Sequence, residues 1–466
     1  MRFPFLDYST LAKRKTACDD EIRVNRQFAP QVYRRVVPIT RDSDGHLGID
    51  GAGTPIEFAV EMARFDERQT IDHLAEAGPL DAGLVDGIAD AIANSHKVAP
   101  RADAVRWIRS IAGIIADNTA ASLAAGRFAA DEIDDLHKAS LAAFSRIRGC
   151  LEQRGRQGQV RRCHGDLHLA NIVLIDQKPV LFDAIEFDET IASIDVLYDL
   201  AFALMDLLRY RRRAEANRLF NRYLSITPPE NLDALSALPL FLSMRSAIRA
   251  HVLLVRLDRA TSDQAGIIET AGAYFGLARA SIHPPAPMLI AVGGLSGTGK
   301  SVLARALAPL VAPLPGAVVL RSDVLRKQLF AVGETERLPA NAYDAEVGAQ
   351  IYDTMARRAS QVLAQGHSVI VDAVFAREAE RAAIRDAARR ADTGFVGLFL
   401  VADLATRQSR VERRKADASD ATPEIAELQE TYDAGTIDWE VVSAAGTPEA
   451  VLQECEKLIA DLTTAS

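Results

Sequence analysis

Apolar residues recur along this chain in two rhythms, and the change from one to the other divides it. Downstream, short apolar runs at 288–292, 317–321, 368–371, 397–401 and 439–443 alternate with amphipathic stretches near 300–311, 323–331, 343–365, 377–391, 404–415 and 447–462. That alternation predicts a parallel sheet flanked by helices, an α/β unit. Upstream the pattern is mainly helical. Ser9 or Thr10 can cap a helix from Leu11 to about Gln27, 32–39 and 57–62 read as strands, and alanine- and leucine-rich helices are expected from about 81 to 149. A loop, strand, turn and strand follow, with Val180-Leu-Phe delivering Asp183, and helices return from about 194. Between the two rhythms lies Ser281-Ile-His-Pro284-Pro285-Ala-Pro287, whose prolines stop a helix and favour an extended path. Two domains are therefore expected, 1–283 and 284–466. The first is α+β and mostly helical; the second is α/β with a parallel sheet.

Composition agrees with that count. At 466 residues the chain exceeds one ordinary core, and 48% hydrophobic with 25% charged residues is the balance of a globular protein. The formal net charge of -9 argues against a general nucleic-acid binder. Cys18, Cys150, Cys163 and Cys455 lack metal-ligand spacing and suit a reducing cytoplasm; Cys163, beside His164, reads as a buried thiol rather than a zinc ligand. Met1-Arg-Phe-Pro-Phe-Leu lacks the long apolar region of a secretory signal. The most membrane-like stretch, 238–255, is interrupted by Arg245, Arg249 and His251 and reads as a buried or amphipathic helix. No membrane association is expected.

The sharpest chemical signal is Gly294, Leu295, Ser296, Gly297, Thr298, Gly299, Lys300 and Ser301, a complete G-x-x-x-x-G-K-[ST]. It follows a predicted strand and opens a predicted helix at Val302. In that setting successive backbone amides curl around phosphate oxygens at the positive end of a helix dipole. Lys300 would reach the β/γ-phosphates and Ser301 would hold Mg²⁺. ATP and Mg²⁺ are the expected cofactors.

Three further features belong to the same half. Asp323, in Arg321-Ser-Asp323-Val-Leu-Arg326-Lys327, follows the second strand and is placed to receive an acceptor hydroxyl; capping of the next helix is the competing account. Asp372 ends the apolar run Val369-Ile-Val, the position of a magnesium-holding carboxylate. Arg407, Arg410, Arg413 and Arg414 recur at helical spacing ahead of Lys415-Ala-Asp-Ala-Ser-Asp420. A solvated face is the ordinary account. The expectation is a mobile lid that closes Arg410 and Arg414 onto the transferring phosphate. This half resembles the small P-loop kinases: gluconate kinase, adenylylsulfate kinase, polynucleotide kinase and the zeta-toxin group.

A second constellation lies upstream. His164-Gly-Asp166-Leu-His-Leu-Ala-Asn171 is followed twelve residues later by Asp183. An Asp, an Asn five residues on, and a strand ending in another Asp form the catalytic layout of the protein-kinase-like fold. Gly165 and Asp183-Ala-Ile depart from protein kinases and resemble aminoglycoside and choline phosphotransferases. With Phe3-Pro-Phe-Leu-Asp-Tyr-Ser9 and the downstream kinase unit, nearly the whole chain resembles a bacterial two-domain family, an aminoglycoside-phosphotransferase-like domain fused to a P-loop ATP-binding domain. The resemblance implies Asp166 as catalytic base, Asn171 and Asp183 as Mg²⁺ ligands, and Asp199 as the brace of the catalytic loop. One departure stands out. Such lobes open with a glycine-rich hairpin and a strand lysine paired to a helix Glu. Glu21 could be that Glu, but no lysine-bearing strand precedes it, and Lys13 and Lys15 lie in the helix itself. The lobe reads as truncated, by a start assigned too late or by a domain that binds ATP poorly. The basic cluster Arg209, Arg211, Arg212 and Arg213 reads as a solvated helix end.

The expected function is an ATP- and Mg²⁺-dependent kinase for a small hydroxylated metabolite, acting in the downstream domain. The alternatives are an ATP-hydrolysing regulatory module with a kinase-like recognition scaffold and, further off, a polynucleotide 5′-kinase. Neither the acceptor nor the oligomeric state is legible.

Overall fold

The structure is a computed structural model that describes residues 7–257, 264–413 and 417–464; Arg414 and Lys415 lie outside the described residues. The chain divides into two units, Met1–His283 and Pro284–Ser466.

In the first unit, α1 (Leu11–Asn25) starts on Thr10, whose hydroxyl accepts the Lys13 amide at 3.3 Å. β1 (Tyr33–Arg41), β2 (Leu47–Ile49) and β3 (Thr54–Met62) follow as an antiparallel sheet of order β2-β1-β3, with α1 packed on β1 and β3. The helix-first order is the one expected. The short β2 is new, because its three residues are too few for alternation to register.

α2 (Ile71–Ala77), α3 (Ala82–Val98), α4 (Ala104–Ala125) and α5 (Ala130–Arg156) come next. The long helical stretch is interrupted twice. Asp103 accepts the Val105 and Arg106 amides and so starts α4, and Gly126 ends it in the left-handed region, φ 59°. β4 (Val160–Arg162) leads into the hairpin β5 (Ile172–Ile175) and β6 (Lys178–Leu181). After α6 (Glu189–Ala192), β7 (Ser193–Asp195) pairs antiparallel with β4. α7 (Val196–Arg209), α8 (Arg213–Ile226), α9 (Leu238–Leu257) and α10 (Gln264–Ile282) complete the unit. A segment including α9, Pro229–Val255, is apolar and long enough to cross a membrane, but 61% of its most apolar window is buried. It is a core element, with Leu240, Phe241 and Leu242 fully enclosed.

The second unit runs β8 (Met288–Gly294), α11 (Lys300–Leu307), β9 (Val318–Arg321), α12 (Ser322–Leu329), α13 (Ala345–Ala364) and β10 (Val369–Asp372). It continues with α14 (Glu378–Arg390), β11 (Gly394–Val401), α15 (Leu404–Glu412), α16 (Pro423–Leu428), β12 (Glu440–Ser443) and α17 (Pro448–Thr464). All five strands are parallel, in the order β12-β11-β8-β10-β9. The chain leaves β8 at the centre and returns on both sides of it, which opens a crevice at the carboxyl ends of the strands. Ile290, Val292, Leu303, Ile370 and Leu398 are among the residues filling the core beneath.

Candidate active site

The loop between β8 and α11 is shaped by its glycines. At Gly297, φ 86°, a Cβ would lie 2.4 Å from the Arg407 carbonyl oxygen, so only glycine fits. Gly299, φ 96°, lets the chain enter α11 directly at Lys300. Thr298 Oγ1 and Lys300 Nζ both donate to the Leu295 carbonyl at 2.9 Å, and the Ser296 amide donates to Gln429 Oε1 at 2.6 Å. The loop is thus held from within and from the segment after α16. Its residues from Ser296 to Val302 line an open cavity of about 1200 Å³.

Ser301 Oγ donates to Asp372 Oδ2 at 2.5 Å, bringing together the two groups expected to hold Mg²⁺. A hydroxyl and a carboxylate at the mouth of a phosphate loop are the hard oxygen donors that this ion takes. A cation already stands beside them. Arg321, the last residue of β9, reaches Asp372 Oδ2 at 3.3 Å, Ser301 Oγ at 3.1 Å and Asp417 Oδ1 at 2.8 Å. Three oxygens competent for a metal therefore converge on one positive charge, and the donor set fits the ion.

Asp323 lies in the first turn of α12, where it makes no capping bond; Arg321 holds the cap position and has no side-chain cap either. Its carboxyl lines the cavity with Lys300, Arg326, Tyr343, Tyr352 and Glu380. Burial, together with the nearby Asp372 charge, raises its pKa above the ordinary carboxylate value, while Arg321, Lys300 and a Ser419 hydrogen bond work the other way.

Arg407 and Arg410 of α15 both reach the phosphate loop, as their spacing predicts, but they are used differently there. Arg407 is 1% exposed and is spent on protein groups: its Nη1 donates to the Ser296 and Ala426 carbonyls, and its Nη2 meets Glu430. Arg410 lines the cavity, donating to the Ala444 carbonyl at 2.8 Å and the Thr298 carbonyl at 3.5 Å. Arg413 lines it too, whereas Arg414 falls outside the described residues. The 417–420 end of the expected lid is tied down. Asp420 accepts from buried Lys327 at 2.8 Å, from the Leu338 amide at 2.9 Å and from the Tyr343 hydroxyl at 2.9 Å. Burial works to raise Asp417, and the Arg321 charge with the Ser419 amide overcomes it, taking the carboxyl down to about 2. Nothing local marked Arg321, Asp417, Asp420 or Gln429, since their partners lie tens of residues away.

The upstream constellation also assembles. Asn171 Nδ2 donates to the Asp166 carbonyl oxygen at 2.9 Å and to its Oδ2 at 3.3 Å, and His168 Nε2 stands 3.4 Å from that oxygen. Burial works against the Asp166 charge, but His168, His164 and Arg249 outweigh it and hold the carboxyl at about 2. Asp183, two residues past β6 with φ 61°, donates its amide to the Tyr33 hydroxyl; burial and the Asp166 charge raise its carboxyl. Asp199 accepts the Gly165 amide at 2.9 Å and the His164 amide at 3.2 Å, the bracing geometry. His96 links it to Tyr223, through bonds of 3.1 and 2.8 Å. Cys163, buried beside this pair, donates to the Ile194 carbonyl, so the trio His96, Cys163 and Asp199 is a filled hydrogen-bonded core. Glu21 is pushed up to about 7, first by burial and then by Glu186 and Asp183. Lys13 and Lys15 pair with Asp7 and Asp19. In the basic cluster, Arg209 stacks on Tyr210 and donates to Thr270, and Arg212 donates to the Ala75 carbonyl, so these two are structural.

Comparison with known proteins fits these geometries. Residues 8–238 match the model of the phosphotransferase enzyme family, and residues 289–433 match an AAA domain model. The chain thus joins a phosphotransferase-family domain to an AAA domain that carries the phosphate loop. Uncharacterised proteins of Mycobacterium tuberculosis and Mycobacterium bovis are 28% identical over 432 residues, covering 91% of this chain and 83% of theirs. Among solved structures, a gluconokinase from Sinorhizobium meliloti is 20% identical, with a TM-score of 0.28, covering 39% of this chain and 98% of its own. The APS kinase of Mycobacterium tuberculosis in complex with AMPPNP and APS is 21% identical, with a TM-score of 0.28, covering 38% of this chain and 98% of its own.

Proposed function

We propose that the P-loop domain transfers the γ-phosphoryl group of Mg²⁺-bound ATP to a hydroxyl of a small metabolite in the cytoplasm. Lys300 and the loop amides hold the phosphates, Ser301 and Asp372 hold the magnesium, and Asp323 orients the acceptor. The acceptor oxygen forms the new bond to the γ-phosphorus, the bond to the β–γ bridging oxygen breaks, and that oxygen leaves with the electron pair on ADP. The hydroxyl proton passes to Asp323, and Arg410 offsets charge on the transferring group. The observation that carries this reading is Asp323: a carboxyl with a raised pKa, doing no capping, on the same cavity as Lys300, Ser301 and Asp372. A simple nucleotide switch has no use for a base there.

The test is transfer from γ-labelled ATP across a panel of polyols, sugar acids and aminoglycosides. A labelled acceptor that disappears in Asp323→Asn is the expected result. Phosphate release with no labelled acceptor from any compound overturns the proposal in favour of an ATP-driven regulatory module. The upstream domain motivates that second reading, because the charged neighbours of its Glu21 are acids. A 5′-end nucleic-acid kinase is disfavoured by the net charge of -9.

A further inference from the structure

Arg321 and Asp372 are Cα partners in the pairing of β9 with β10, so their side chains meet because the sheet register brings them together. The Arg321 side chain is 12% exposed and that of Asp372 5%, which keeps the contact largely out of water. The guanidinium bonds the same Asp372 Oδ2 that receives the Ser301 hydroxyl, and also bonds Ser301 Oγ itself. Its third tie, to Asp417 at 2.8 Å, leaves the ligand pair and runs to the segment after α15.

We propose that Arg321 is a resident counter-cation of the magnesium site, which blocks metal alone and yields only to metal carried by nucleotide. The inference rests on the reading of Ser301 and Asp372 as magnesium ligands. A magnesium ion bonds oxygens at about 2.0–2.1 Å, so it cannot share Asp372 Oδ2 and Ser301 Oγ with a guanidinium in hydrogen-bond contact with both. The guanidinium does not lose its proton and must therefore move. When metal arrives alone, Arg321 gives up two partners and gains none. When metal arrives with ATP, phosphate oxygens enter the same cavity and offer the displaced planar guanidinium two acceptors for a bidentate pair. The Asp417 tie keeps it close during that exchange. Arg321 is in this sense a positioning residue, and it sets the order of loading.

The experiment uses the full chain without nucleotide and Mn²⁺ as the probe, titrated by electron paramagnetic resonance. Arg321→Ala is expected to bind Mn²⁺ at least about tenfold more tightly than wild type, since a unit charge beside the site is removed. Adding Asp372→Asn should cancel that gain, and Arg321→Lys, which keeps a cation, should stay near wild type. With ATP present, the Mn²⁺ affinities of wild type and Arg321→Ala should converge. Equal affinities without nucleotide, a gain that survives Asp372→Asn, or a lysine variant as open as the alanine one overturns the proposal. Should Arg321→Ala melt below the working temperature, Arg321→Met keeps the stem and carries the same expectations. Phosphate transfer is read separately, so a protein that gave these titrations but phosphorylated nothing would lose the kinase reading and keep this one.

Discussion

Glu21 and Asp323 are both acids raised by burial and by other acids, yet their surroundings assign them different parts. Asp323 shares its cavity with Lys300, Ser301 and Asp372. A carboxyl above its ordinary range is a better proton acceptor once ionised, so the acid limb of turnover should follow Asp323 and lie above the ordinary carboxylate value. Rate against pH with saturating nucleotide measures it, and an acid limb at the ordinary carboxylate value contradicts the assignment. The charged neighbours of Glu21 are acids, and its carboxyl stands at about 7 instead of 4.5. Folding raises this pKa, so the contribution to stability is full below the unfolded value and is lost as pH rises through about 7. Glu21→Gln should therefore leave the urea midpoint nearly unchanged at pH 4 and raise it at pH 8. A variant equally stabilised at both values would point to packing rather than charge.

At the scale of one helix, α15 shows what spacing conveys and what it withholds. Its arginines recur at helical intervals, and from that alone they share a face. Only the fold reveals that Arg407 is enclosed beneath the phosphate loop while Arg410 reaches the cavity. Arg407→Ala would leave buried carbonyls without donors and should cost about 2–3 kcal/mol of stability in the P-loop domain, read from its denaturant midpoint. Arg410→Ala should stay within about 1 kcal/mol of wild type and weaken nucleotide binding instead, as titration calorimetry would show. The reverse assignment of the two losses would exchange the structural and binding roles given to these arginines. Strands β8, β10 and β11 were legible because each is a largely buried apolar run, and the phosphate loop because its chemistry is local. Arg321 was not. A lone arginine at a strand end looks neutral until the register sets it against Asp372 and the chain returns Asp417 96 residues later.

Each unit of the molecule gathers a constellation of its own, and the chemistry proposed above rests on the one in the P-loop unit. In the P-loop unit a lysine, a run of loop amides and a hydroxyl–carboxylate pair converge on one cavity. In the first unit, Asp166, Asn171 and Asp183 stand in place, but Lys13 and Lys15 are engaged by Asp7 and Asp19, and Glu21 faces acids. Positioning must precede proton acceptance, and on the reading proposed above the P-loop unit does the positioning. Lys300→Ala should therefore lower nucleotide turnover by about 10²–10³, the usual cost of removing one preorganised charge from a transferring phosphate. Asp166→Ala should leave turnover largely intact. Both variants are to be compared with wild type for ATP affinity and steady-state hydrolysis at saturating Mg²⁺. If Asp166→Ala silences the protein while Lys300→Ala does not, the chemistry belongs to the first unit. Asp323 would then be a carboxyl raised by its neighbours without a catalytic task.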